Sequence, residues 1–505
     1  MQETDFKKYN LKHLLLIGLV IFIYFILSLI LYNFYKYQIN SDAIHDISIA
    51  LKYSQGLFRD ALNGYRSPLI SLLLVPFIRI GIEPLFAYKI LNIFSGAAVL
   101  FVLNKTINYF KINIYFKIII LFLTFPIIFF YIFYQTTPDM LSAIFLLLGF
   151  NCILDDNLNY KKSIILGLIF SLGYYSKAYN LIFFIIYFSL IFLIKLFYSK
   201  NRKSVLINFV VTVLTCLILC LPFIILLSIK YNNFTITTIG IINYKMSAPE
   251  YIGNQNAFVG RLREIKTPGW FMEDDLSYLN NYMAMWFSVK EIIKNTYSNI
   301  IYVFNFIDRS YVSLFFTLLL IFYKTRDYLN SVKIYMFFLI FIGGYVPFVI
   351  DDRLFCAISI LYFVLASCYF YNFYSINKKN IAVLIIVIFF ISFAFLDKPV
   401  TFLKNNTFNY IGRSHYAQGK ELSELDIEGK AASNLGFGRD LLYIAYYNRT
   451  KIQYYGATNN DEELNKFEIQ YYFCSKKDQE RINDLANKEV QLFAEFDNYL
   501  IYKLR

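Results

Sequence analysis

The feature that most constrains this chain is a series of apolar runs, each near the roughly 20 residues a helix needs to cross a hydrocarbon core about 30 Å thick. The cleanest runs from Leu14 to Leu31, LLLIGLVIFIYFILSLIL. It is longer and more evenly apolar than the core of a cleaved leader, and no small-residue cleavage site follows, so it reads as a retained first span. Only 16% of the 505 residues are charged and 58% are apolar, whereas a soluble chain carries nearer a quarter charged residues. The bulk of the chain is therefore a membrane protein and not a water-soluble domain.

The net charge of +13 does not point to nucleic acid, because Lys and Arg are dispersed into short clusters between the apolar runs, the arrangement that orients a polytopic protein. Reading runs against basic flanks gives about eleven spans. Lys7, Lys8 and Lys12 place the N-terminus in the cytoplasm. Residues 32–83 then form a first outer loop containing PLISLLLVPFIRIGI, too short to cross comfortably and better suited to lying at the interface. A second span follows over 84–103.

Each predicted inside loop is a basic one: Lys105, Lys111 and Lys117; Lys161 and Lys162; Lys195, Lys200, Arg202 and Lys203; Lys324, Arg326 and Lys333; Lys378 and Lys379. Outer turns fall at Asp139, at Lys177 and at Asp351 to Arg353, with a long outer loop over 230–300 that contains Trp270. After a last span over 381–396 the composition turns polar. The expected fold is thus an all-α polytopic membrane domain over 1–396, with about 11 transmembrane helices, and a small α/β extracytoplasmic domain over 397–505. In the latter, LLYIAYY and NYLIYKL read as short alternating runs and DQERINDLANKEV as a polar helix.

Of the six cysteines, Cys216 and Cys220 lie four apart in a predicted span, where buried thiols are a better reading than a metal pair. Asn233 and Asn405 fit a glycosylation pattern that arises often by chance.

In this topology the ionisable residues near the bilayer collect at the outer ends of spans, and such groups mark a functional site because they are costly there. On a helix, Asp42, His45 and Asp46 in SDAIHDISIALKYSQG share one face. Three readings compete for them: a solvated polar face, a catalytic carboxylate, and a metal site short of ligands. Arg66, in GYRSPLISLL, can hold a phosphate bidentately or simply snorkel to water. Lys177 can cap a tight turn, and Arg353 can pair with Asp351 or Asp352.

The chain resembles the polytopic GT-C glycosyltransferases, especially the branch with the protein O-mannosyltransferases and the lipid A aminoarabinose transferase. Asp42, Ala50 and Gly56 are similar to the acidic, small and glycine positions that open the first outer loop of that branch, and Tyr65-Arg66-Ser67-Pro68-Leu69 to the segment that follows. Thr137-Pro138-Asp139, Gly173 to Lys177 and Asp352-Arg353 continue the resemblance in order. The departures are Ala43 where a second acid is common, Asp46 where an aromatic residue is frequent, and Ser67 in place of one proline of a double-proline pattern.

The resemblance implies an inverting transfer of one sugar from a polyprenyl-phosphate donor to an acceptor hydroxyl on a protein, lipid or glycan at the outer face of the cell membrane. Asp42 is then the expected base. Arg66, Lys177 and Arg353, with Tyr65, Asp46 and Asp139 beside them, are the expected donor phosphate and sugar site. No cofactor is called for, no metal ligands are assigned, and dependence on a divalent metal is left open. A transporter or flippase is the main alternative, but transporters tend to show repeats and a midplane site, whereas here the charges gather at one surface. A scaffold would not require acids and bases to converge.

Overall fold

The structure is a computed structural model that describes residues 3–155, 158–240, 293–301, 328–347, 352–377, 411–425, 427–434, 438–448, 451–477 and 490–504. The expected last span, Asp351, Trp270 and the boundary between residues 396 and 397 lie outside the described residues, as does most of DQERINDLANKEV.

Helix α1 spans Glu3–Tyr35. From Leu14 to Leu31 it is apolar nearly all round, yet it buries only a narrow stripe that includes Ile17, Val20, Tyr24 and Ser28, while Leu14, Phe22, Leu29 and Ile30 stay exposed. That spacing is one helical face, and an apolar surface left outward on a long helix is what lipid covers. The first loop then folds as α2 (Ser41–Ser54), a single turn α3 (Phe58–Ala61) and α4 (Leu69–Arg79). The short apolar stretch is thus a helix of 11 residues. Ile70, Ser71 and Leu74 of α4 are buried, with Ser71 donating to the Asp46 carbonyl at 2.9 Å, while Leu72 and Leu73 remain exposed.

Among the described residues the bundle continues with α5 (Pro84–Tyr109), α6 (Ile114–Phe129), α7 (Asp139–Leu154), α8 (Tyr160–Ser176), α9 (Tyr179–Tyr198), α10 (Arg202–Tyr231) and α11 (Tyr328–Tyr345). A 3-10 turn over Asp352–Phe355 leads into α12 (Cys356–Asn377). Five of the described segments, beginning at His13, Pro84, Ile114, Tyr179 and Arg202, are long and apolar enough to cross a membrane, and four shorter apolar helices accompany them. The protein is a multi-pass membrane protein.

Local sequence explains where these helices start and bend. Glu83 accepts from the Phe86 amide at 2.7 Å, and Pro84 occupies the first turn of α5, where its missing N–H costs nothing. After Pro126 the end of α6 loosens into a π turn over Phe130–Gln135, which closes with Thr136 in the left-handed region. Such π turns are inserted where a chain must re-aim its next residues, and here the next residues are Thr137, Pro138 and Asp139.

Some inside-loop lysines are not in loops. Lys105, Lys117 and Lys333 belong to helices, and Lys117 and Lys333 are fully buried. Amide side chains replace water for both. Lys117 Nζ meets Asn104 and Asn108 and lies 2.8 Å from His13 Nε2, and Lys333 Nζ donates to Asn330 Oδ1 at 2.8 Å. Cys216 and Cys220 are buried free thiols with sulfurs 3.9 Å apart.

The C-terminal residues form a five-stranded sheet, ordered β2-β1-β3-β5-β4, from β1 (Gly429–Ser433), β2 (Ile452–Ala457), β3 (Tyr471–Ser475), β4 (Val490–Glu495) and β5 (Tyr499–Leu504). Strand β1 runs parallel to β2 and β3, while β5 is antiparallel to β3 and β4. Among the described residues, helices α13 (Ile411–Glu424), α14 (Gly438–Tyr447) and α15 (Asp461–Lys466) accompany the sheet. The run NYLIYKL is strand β5 as expected, but LLYIAYY is not a strand. It lies in α14, the crossover between parallel β1 and β2, where Leu441, Leu442, Ile444 and Ala445 are all buried. A parallel pair requires a long crossover, usually a helix, and that tertiary demand outweighs a β-leaning composition.

This unit is seated on the first loop. One buried cluster runs from Ala43, Ile44 and Ile47 of α2 through Ile70, Leu74, Leu85 and Tyr88 to Leu422, Leu441 and Ile444. The Tyr447 hydroxyl donates to the Tyr37 carbonyl at 2.5 Å, and the Tyr446 hydroxyl to Glu83 at 3.4 Å.

In the bundle, a side chain added at Gly96 of α5 would run into the Tyr24 ring and into Ile128. Tyr24 cannot easily give way, because its hydroxyl is held by the Ile93 carbonyl at 3.0 Å. We expect Gly96→Val to destabilise the protein by about 1–3 kcal/mol through overpacking, read as a lower melting temperature in detergent. A melting curve unchanged by Gly96→Val would mean that α1 is not clamped there.

Candidate functional site

The site begins with a helix start. Asn40 caps α2 by accepting from the Asp42 amide at 3.0 Å, which fixes Asp42 in the first turn, where the helix dipole favours a negative charge. The Asp42 side chain is only 12% exposed, and its two oxygens accept from two different guanidiniums. Arg66 supplies one from the first loop and Arg353 the other from the turn before α12, 311 residues away in sequence. Residues 42 and 353 therefore share one side of the molecule and one cluster.

Arg66 is aimed by its own loop. Asn63 Oδ1 accepts from the amides of Tyr65 and Arg66, each at 2.8 Å, making the turn rigid. The Gly64 carbonyl accepts from the Thr238 amide and the Thr237 hydroxyl, each at 2.8 Å, and Tyr231 Oη lies 3.0 Å from the Gly64 amide. A Cβ at Gly64 would meet Thr238 and Tyr231 at 2.8 Å, so this close approach needs glycine. The guanidinium carbon lies 5.1 Å from the Tyr65 ring centroid. Arg66 Nε is buried with no hydrogen-bond acceptor among the described residues, so the guanidinium retains a donor that Asp42 does not use. Simple snorkelling to water does not describe this arginine.

A second ion pair lies beside the first. Lys177 Nζ meets Asp139 Oδ1 at 2.5 Å, and Thr137 donates to the other Asp139 oxygen at 2.6 Å. The Lys177 ammonium also sits 6.0 Å from the Tyr345 ring. The two pairs are tied together by Ser67, whose hydroxyl accepts from the Ala178 amide at 2.8 Å. A proline at position 67 could not accept that bond, so the departure from a double-proline pattern has a structural role here.

The solvated-face reading of α2 is set aside, since Asp42, His45 and Asp46 are all buried. Burial and the neighbouring Arg66 cation lower His45 to about 3. It is neutral at ordinary pH, with Nδ1 3.3 Å from the Arg66 guanidinium, which donates. Burial alone would raise Asp42, but Arg66 and Arg353 outweigh it and hold the carboxyl well below the usual range. Asp46 goes the other way. Burial, with the Asp42 charge adding to it, raises it to about 7 against the pull of Arg66, and its Oδ2 accepts from the Tyr88 hydroxyl at 2.9 Å. Two acids one helical turn apart are thus shifted in opposite directions.

The structure brings Asp42, Arg66, Arg353, Tyr65 and His45 into one group, with Asp139 and Lys177 in the adjoining pair, and turns Asp46 inward to Tyr88. Sequence reasoning missed Asn63, Tyr88 and Tyr345. Asn63-Gly64 is a recognisable turn dipeptide, but nothing local marks Tyr88 or Tyr345. Among the described residues, no three His, Cys, Asp or Glu side chains cluster as metal ligands.

The helix order, the short first-loop helices and the charged cluster they carry make up a polytopic membrane fold that solved structures share. The chain is similar to an oligosaccharyltransferase from Archaeoglobus fulgidus, with a TM-score of 0.55 and 12% identity, covering 94% of this chain and 71% of that one. It is also similar to ArnT from Cupriavidus metallidurans bound to undecaprenyl phosphate, with a TM-score of 0.50 and 9% identity, covering 95% of this chain and 97% of that one. At such identities the likeness is one of fold. No protein-family model matches the sequence, and no curated protein matches it either.

The raised Asp46 sets a pH test of stability. Its folded value lies above the usual 3.8, so the folded state holds its proton over a window in which the unfolded chain has lost it, and stability falls as pH rises from about 4 to about 7. Asp46→Asn keeps the Tyr88 hydrogen bond and removes the titration. We expect the variant to melt higher than the parent at pH 8 and the gap to close towards pH 5, measured in one detergent. A gap independent of pH would show that Asp46 is ionised throughout.

Proposed function

We propose that this chain is an inverting glycosyltransferase that moves one sugar from a polyprenyl-phosphate donor to an acceptor hydroxyl at the outer face of the cell membrane. The observation that carries the reading is the Asp42 carboxylate held between Arg66 and Arg353. Two convergent guanidiniums match a phosphate as well as a carboxylate. The exposed apolar side of α4 beside them suits an acyl or prenyl chain. That the ArnT structure is bound to undecaprenyl phosphate supports a lipid-phosphate donor, and the acceptor is a hydroxyl of a protein, a lipid or a glycan.

The same geometry suggests how the base is switched on. With both oxygens engaged, Asp42 is a weak base. An incoming donor phosphate competes for the guanidiniums, and each bond it takes from Asp42 returns basicity to the carboxylate. The acceptor oxygen then attacks the anomeric carbon as the bond from that carbon to the phosphate oxygen breaks. Asp42 takes the acceptor's proton, and the polyprenyl phosphate leaves with its charge held by Arg66 and Arg353, with Lys177 alongside. A single displacement without a protein nucleophile inverts the sugar. Tyr65 and Asp139 line this group, and Asp46 acts as a positioning residue through Tyr88 and Ser71. In this reading the N-terminus is cytoplasmic, and residues 397–505 form an extracytoplasmic domain that shapes the acceptor side.

The test is transfer by the purified protein from a panel of polyprenyl-phosphate sugars, with and without chelator. We expect Asp42→Asn to lower turnover by about 10²- to 10⁴-fold while undecaprenyl phosphate binds as well as before or better, because a competitor for the guanidiniums is gone. Arg66→Ala should weaken use of the donor by roughly tenfold or more. Near-normal turnover in Asp42→Asn removes it from the mechanism, and transport of the lipid without any transfer would replace this reading by that of a flippase.

A further inference from the structure

Away from this cluster, a cavity of about 510 Å³ opens where the end of α1 meets α13. Its floor includes Phe34 and Lys36 of the α1 end, and its walls include Arg413, Lys420, Glu421 and Glu424 of α13. The junction is firm: the rings of Tyr37 and Tyr416 stack at 3.9 Å, and the Tyr447 hydroxyl holds the Tyr37 carbonyl at 2.5 Å. The volume falls within the roughly 300–1,000 Å³ of ligand pockets.

Two facts restrict what fits. Below the cavity, α1 exposes Phe22, Leu29, Ile30 and Phe34 in a continuous apolar strip, so the cavity sits where a lipid lying along α1 places its headgroup. Its lining carries three cations and two carboxylates, four of them from α13 and Lys36 from the end of α1, a set that neither a bare anion nor a purely apolar group satisfies. We infer that this cavity binds the headgroup of a membrane phospholipid that carries hydroxyl or ammonium donors as well as its phosphate. Lys36, Arg413 and Lys420 hold the phosphate, Glu421 and Glu424 accept from the headgroup donors, and the acyl chains lie on α1. Such a lipid joins the C-terminal unit to the first span and does not depend on the sugar-transfer reading.

The experiment uses the full chain in detergent, with bound lipid counted by native mass spectrometry during titration with phosphatidylglycerol, phosphatidylethanolamine or phosphatidylcholine, and with inorganic phosphate as a separate arm. A basic side chain near an anionic headgroup contributes about fivefold in affinity. We therefore expect R413Q/K420Q to weaken phosphatidylglycerol binding by about 25-fold and Lys36→Gln by about fivefold, with a smaller loss in the same direction for the net-neutral phosphatidylethanolamine and with phosphatidylcholine weaker than both in the parent. These residues are solvent-facing, and a melting curve measured without lipid checks that the variants fold. Equal retention of all three lipids, or unchanged retention in R413Q/K420Q, overturns the proposal. Saturation of the cavity by inorganic phosphate at the same concentrations overturns it in favour of a free-anion site.

Discussion

A carboxylate shared by two guanidiniums in a poorly hydrated place organises this molecule. Taking ions out of water is costly, and a buried set is tolerated only when each charge is met and the spare hydrogen-bonding capacity is satisfied. Asp42 meets Arg66 and Arg353 at once, and this joins the first loop to a turn more than 300 residues later in sequence. The supporting parts serve that meeting. Asn40 fixes the helix start that carries Asp42, Asn63 and Gly64 aim Arg66, and Ser67 ties the loop to the Lys177 turn. Removing Asp42 would leave two cations facing each other, so the cluster is held together by the same charges that we propose act on the substrate.

Electrostatic contrast between near neighbours gives the site its chemical range. Asp42 and Asp46 stand one turn apart on α2, yet the first is kept ionised by paired cations and the second is pushed up to about 7 by burial. His45, between them, is kept neutral by burial and by Arg66. One short helix thus presents a charged acid, a neutral imidazole and a readily protonated acid. The docked α/β unit packs on the opposite side of α2 through Ala43, Ile44 and Ile47, so the helix is clamped between an apolar surface and the charged cluster.

Much of the architecture was legible because membrane spans announce themselves through length and hydropathy, and loops through charge. The short apolar helix α4, the tight Lys177 turn and the small α/β unit were all visible in that way. Reading failed where tertiary context reverses a local preference. LLYIAYY has the composition of a strand but serves as the crossover helix α14, and Lys117 and Lys333 looked like loop markers but are buried against amides. Tyr88 could not have been found at all, because its role lies in a contact with a residue 42 positions away.

The order of residues along the chain carried the membrane spans, the charged residues that punctuate the apolar runs, and the mixed α/β unit that follows. These are consequences of composition along the chain, which the bilayer reads one segment at a time. Which charges meet came from packing: Arg353 joins Asp42, Lys177 takes Asp139, and Asp46 turns away to Tyr88. Ion pairing depends on distances of a few ångströms between segments far apart in sequence, and helix packing, not local pattern, sets those distances.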